Sequence, residues 1–127
     1  MASTVEILKP ANPAEVTSFP FGRFELFRIG GLEIWRAVYQ PGWRWTEHVR
    51  PTAGTDLCEV EHVGLVLSGR AAVKMRDGSE IIMTAGDFFS VPPGHDSWVV
   101  GSEEYTSLHF LGADRYARRA GNAGDAG

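Results

Sequence analysis

Between residue 24 and residue 111 apolar and polar positions alternate with a period of two far more often than with a period of 3.6, the signature of half-buried strands. Residues 24–29 and 32–39 carry the pattern first, and Gly30-Gly31 between them predicts a hairpin turn. In 32–39 both faces are bulky, with Leu32, Ile34, Arg36 and Val38 against Glu33, Trp35, Ala37 and Tyr39. A further strand is predicted over 43–49, with Trp43, Trp45, Glu47 and Val49 on one face and Arg44, Thr46, His48 and Arg50 on the other. Residues 50–58 read as a loop, and 59–67 resume as a strand with His62, Gly64 and Val66 on one side. Strands at 71–75 and 81–83 flank Asp77-Gly78, the strongest short hairpin signal in the chain. Residues 88–91 then run into Pro92-Pro93-Gly94, a stiff corner that aims His95, Asp96 and Ser97. The last strands are predicted at 98–100 and 105–111.

Outside this region the pattern weakens. Residues 5–8 suit a short edge strand, and 10–20 are rich in helix and strand breakers. Residues 113–120 allow a short helix before a Gly-rich end. The division expected is an arm at 1–22, an all-β antiparallel barrel at 23–112 and a C-terminal helix or flexible tail at 113–127.

Composition narrows the function classes. A chain of 127 residues fits one domain with a core of its own. The net charge of −4, with no basic stripe, argues against nucleic acid and against anionic membranes as partners. Cys58 is the sole cysteine, so no internal disulfide can form and a reducing, cytoplasmic setting is expected. The opening MASTVEILKP does not read as a secretory leader, and no run of about 18 apolar residues suggests a membrane span.

The candidate chemistry rests on histidines at particular spacings. Gly42 precedes His48 by five intervening residues, His62 precedes Gly69 by six, and Gly86 precedes Pro92-x-Gly94 by five. With these spacings the sequence resembles the cupins, over about residues 41–111. The resemblance implies an antiparallel jelly-roll β-barrel, a homodimer, and one divalent metal held by three histidines and a glutamate. His48 and His62 occupy two of those ligand positions, His62 in place of the glutamate. Arg50 and Ser97 stand where the other two histidines belong. His95 is therefore the expected third ligand, with Asp96 and His109 as rivals. An imidazole-rich set suits Zn, Fe, Ni or Cu, and Mn less well.

The resulting expectation is a metal-dependent enzyme acting inside the barrel on a small aromatic or apolar molecule, by dioxygenase, isomerase, lyase or cyclase-type chemistry. His48 and His62 are the expected catalytic residues, and Trp35, Tyr39, Trp45, Arg50 and Trp98 the expected substrate contacts. Two alternatives stand beside it: a non-catalytic sensor of a small molecule or metal, and a metal-free enzyme using His48 or His62 as acid or base. Cys58 reads either as a thiolate ligand or as a small buried hydrophobe.

Overall fold

A computed structural model describes residues 4–111. Within it the chain forms β1 (Glu15–Phe19), β2 (Gly22–Ile29), β3 (Leu32–Tyr39), α1 (Trp45–His48), α2 (Arg50–Ala53), β4 (His62–Ser68), β5 (Arg70–Met75), β6 (Glu80–Thr84), β7 (Phe88–Val91), β8 (His95–Val99) and β9 (Tyr105–Leu111). Every strand pairing is antiparallel. One sheet has the order β1-β2-β3-β9-β4-β7 and the other β6-β5-β8. Their inner faces supply a common core that includes Phe24, Leu26, Trp35, Ala37 and Tyr39 from the larger sheet and Ala71 and Val99 from the smaller. This is the all-β antiparallel arrangement the alternating pattern predicts, in the jelly-roll form that the cupin resemblance implies.

The hairpins form where glycine permits them. Ile29 pairs with Leu32 across Gly30 and Gly31, whose φ values of 58° and 79° give the two-residue turn that matches strand twist. Period-two alternation then sets what each strand presents to the interior. Along β4, His62, Gly64 and Val66 are buried, and along β9 Tyr105, Ser107 and His109 are. Gly64 lies opposite both Phe89 and His109 at a register shift between β4 and β9. A Cβ there would stand 2.7 Å from Phe89 Cζ and against the Leu108 carbonyl, so this crossing has no room for a side chain.

Four local expectations are corrected. Residues 43–49 do not continue as a strand. Arg44 makes only an isolated bridge to Trp98, after which Trp45–His48 coils into one helical turn. Both Trp43 and Trp45 are 1% exposed, and the turn seats both in the core where an extended strand would send them along one face. Residues 5–8 are not paired as a strand, and Val5 and Ile7 stay exposed. Instead β1 forms inside the breaker-rich stretch, because Pro20-Phe21 makes a tight turn into β2, with Phe21 at φ 65°. The last strand before the polar turn begins at His95, three residues earlier than expected, so His95 is a paired strand residue. The expected C-terminal helix lies outside the described residues.

Candidate metal centre

The Pro-Pro-Gly corner and the loop before β4 meet at one point. Cys58 and His95 exchange backbone hydrogen bonds, Cys58 N to His95 O at 2.8 Å and His95 N to Cys58 O at 3.2 Å, and Gly94 N also donates to Cys58 O. This bridge sets a loop residue beside the first residue of β8. Cys58 Sγ lies 3.5 Å from His62 Nε2. The ligand atoms of Cys58, His62 and His95 all fall within 4.8 Å of one another, and all three residues are buried. Each is placed by a different device: an isolated bridge, the inward phase of β4, and the corner that starts β8.

The histidines of this cluster are held neutral. Burial pushes His62 well below its ordinary value, with the neighbouring His109 and His95 adding repulsion against a proton. Burial likewise lowers His95, against the pull of the Pro92 carbonyl, Glu59 and Asp96. His109 is pushed down to about 4 by desolvation. The rings of His95 and His109 each sit 5.3 Å from that of His62. His95 Nδ1 is 2.8 Å from the Pro92 carbonyl. Since a carbonyl only accepts, Nδ1 carries the proton and Nε2 keeps a lone pair, which is how a ligating imidazole is usually oriented.

A small chamber opens in front of the cluster. Its walls include His62, His95 and His109 with Tyr39, Trp43 and Tyr105, and it offers about 40 Å³ to the centres of water-sized molecules. That is room for an ion and a few waters. Tyr39 stacks on Trp43 at 3.9 Å and lies parallel to Tyr105 at 5.7 Å. Burial raises the Tyr105 phenol to about 12, outweighing its hydrogen bond with Ser107. Ser107 Oγ is also 2.9 Å from His109 Nε2. His109 Nδ1 is buried with no hydrogen-bond partner among the described residues, a state that costs stability unless something meets it.

The donor set fits a transition metal. A thiolate and two neutral imidazoles, without a carboxylate, match zinc, iron, nickel or copper better than manganese. Ligand atoms around tetrahedral zinc stand roughly 3.3–3.8 Å apart, as its bond lengths require, and the Cys58–His62 separation of 3.5 Å already lies there.

Only some of the residues expected from the sequence come together here. His62 and His95 do. His48 stands apart, because the helical turn brings its Nδ1 under the Arg44 N–H at 3.0 Å and packs its ring on Phe21 at 4.6 Å. Asp96 points to the other side of β8, where its carboxylate accepts from Arg44 Nε, Thr46 N and Thr46 Oγ1. Of the expected substrate contacts, Tyr39 lines the chamber. Trp35 and Trp45 are core residues, Arg50 is exposed at the start of α2, and Trp98 lies beneath the Arg44 guanidinium at 4.5 Å. Cys58, for which a thiolate ligand was one of two readings, completes the cluster, and His109, a rival for the third ligand, packs beside it with its ring 5.3 Å from that of His62. The inward phase of β9 foretold His109, whereas the bridge that positions Cys58 leaves no local trace in the sequence.

Comparison with known proteins agrees with this architecture. The cupin-2 family model, described as a cupin domain, matches residues 36–110. The chain belongs to the cupin superfamily. No curated protein matches it. Among solved structures this cupin is similar to a protein of unknown function from Rhizobium leguminosarum, with 20% identity and a TM-score of 0.58 over 84% of this chain and 94% of that one. It is also similar to a cupin-2 domain from Rhodospirillum rubrum, with 16% identity and a TM-score of 0.54 over 86% of this chain and 68% of the other. A third, VPA0057 from Vibrio parahaemolyticus, shares 15% identity with a TM-score of 0.53 over 77% of this chain and all of the targeted domain. At these identities the likeness concerns the fold. No helix among the described residues is long and apolar enough to cross a membrane.

Proposed function

We propose that this cupin is a metal-dependent enzyme in which one divalent transition metal, zinc, iron, nickel or copper, is held by Cys58, His62 and His95. The substrate is a small aromatic or apolar organic molecule. The observation that carries the reading is the convergence of three buried donor atoms within 4.8 Å, two of them on imidazoles kept neutral. A metal bound there supplies Lewis-acid polarisation of a carbonyl or hydroxyl, or redox chemistry if it is iron or copper. The chain's own residues do the rest. Pro92 fixes the tautomer of His95. The Tyr39, Trp43 and Tyr105 rings give the chamber an apolar wall. The Tyr105 phenol, raised to about 12, stays protonated at neutral pH and is available as a donor.

The test is elemental analysis of the purified protein together with titration of the metal-free protein with zinc and iron(II). One equivalent per chain is expected, with affinity reduced at least tenfold by Cys58→Ser and by His62→Ala. Unchanged metal content in both variants rejects the centre. One observation favours a second reading in that event: His109 is neutral, with Nδ1 lacking a partner among the described residues, which suits an acid-base site without a metal. We also propose that the protein is a cytoplasmic homodimer, in which the uncovered Val5 and Ile7 of the arm pack on an edge strand of a second copy.

A further inference from the structure

The two sheets do not close on each other along one edge. Ile81 pairs with Val73 and shares its inner face, as Met83 does by pairing with Ala71. Val73 is 7% exposed, yet Ile81 is 66% exposed. An apolar residue on the inner face of a sandwich should be covered by the opposite sheet, and among the described residues that cover is missing. Facing it is β7, the outer strand of the larger sheet, whose Phe89 and Val91 point inward opposite Gly64 and His62. The sheets splay between β6 and β7, and the cleft there offers about 280 Å³ to the centres of water-sized molecules, seven times the chamber before the histidines.

The two spaces adjoin. Val73, Met83, Phe89 and Val91 line both of them. The cleft adds Met75 and Ile81, and among the described residues no lysine, arginine or histidine lines it. Its one carboxylate, on Asp87, is occupied by Thr84 N and Thr84 Oγ1. Methionines give such a wall the adaptability to fit a variable apolar shape. The chamber by itself is too small for an organic substrate, whereas chamber and cleft together give a polar end at His62 and His95 and an apolar end at Ile81.

We propose that the β6–β7 cleft binds the uncharged hydrocarbon or aryl tail of a small amphiphile whose oxygen-bearing head reaches the Cys58–His62–His95 centre. For the head this rests on the metal reading above; for the tail it does not.

The test compares acetohydroxamate with octanohydroxamate, which share a metal-binding head and differ in tail, on zinc-loaded protein labelled with ¹³C at its methionine methyls. The chain has three methionines, and Met75 and Met83 both line the cleft. Each methylene that enters tightens binding about three- to fourfold, so octanohydroxamate should bind at least about tenfold more tightly and shift both methyl signals saturably. Ile81→Ser, at an exposed edge position, should remove most of that advantage and leave acetohydroxamate binding unchanged. Equal affinity for the two probes, or Met75 and Met83 signals that do not move, overturns the proposal. If zinc does not bind, the metal reading fails separately, and 1-octanol added to the metal-free protein still decides the tail site by the same two signals. Signals that follow protein concentration instead of probe identify the cleft as an interface between two copies and also overturn it.

Discussion

Replacing Asp96 by alanine separates two roles that its position in the sequence leaves entangled, ligand and brace. Its carboxylate is buried and accepts from Arg44 Nε at 2.8 Å, Thr46 N at 3.1 Å, Thr46 Oγ1 at 3.2 Å and Ser97 N at 2.9 Å. Thr46 lies in the first turn of α1, whose preceding N-cap residue Arg44 provides no side-chain cap. Asp96 therefore supplies from β8 the acceptor that this turn lacks. The Arg44 side chain is 40% exposed and returns to water when the pair is broken, so its part is about 0.2–1 kcal/mol. Orphaning the Thr46 amide and hydroxyl costs about 1–3 kcal/mol more. Asp96→Ala should thus lower unfolding free energy by about 1–4 kcal/mol in urea titration monitored by tryptophan fluorescence. Zinc affinity, measured below the unfolding transition, should change less than threefold. A stable variant with metal affinity down tenfold or more would refute the reasoning and make Asp96 a ligand.

Other expected outcomes follow from the same geometry. His109 is lowered from 6.5 to about 4, so on acidification the unfolded chain takes up its proton first; the associated stability is present above pH 6.5 and is lost as pH falls towards 4. At about 1.36 kcal/mol per pH unit this amounts to about 3 kcal/mol, and urea titrations of metal-free protein should show His109→Gln flattening the slope in that window; an unaltered slope contradicts it. Gly64→Ala forces a methyl against Phe89 and the Leu108 carbonyl and should cost about 1–3 kcal/mol or more, with metal affinity falling as His62 is displaced; a variant of wild-type stability in thermal unfolding argues against the β4–β9 crossing described. Removing residues 1–10 should convert dimer to monomer in sedimentation velocity, and an unchanged dimer rules the arm out as its cause.

The alternating pattern announced most strands because each element presents one face to a single core, so periodicity records burial directly. Residues 32–39, 88–91 and 105–111 coincide with β3, β7 and β9 for that reason. The pattern fails over 43–49. There Trp43 and Trp45 are both core residues, and two tryptophans two apart read as a strand face whether the chain runs extended or enters a turn. Once the chain coils, His48 leaves the face that alternation assigned to it and hydrogen-bonds to Arg44. β1 was hidden by prolines that the hairpin uses at its turn, at Pro20, and before its start, at Pro13.

The sequence by itself determined that this chain is a cupin, that His62 faces the interior of the barrel and that a Pro-Pro-Gly corner delivers His95. These are consequences of spacing along one strand or one turn, and spacing is local. Only the tertiary structure decided which donors share a point. Cys58 reaches His95 through a bridge between segments 37 residues apart in sequence, and His109 packs its ring against His62 because β9 inserts between β3 and β4. The same long-range order left β6 and β7 unjoined, and no period in the sequence records where two sheets fail to meet.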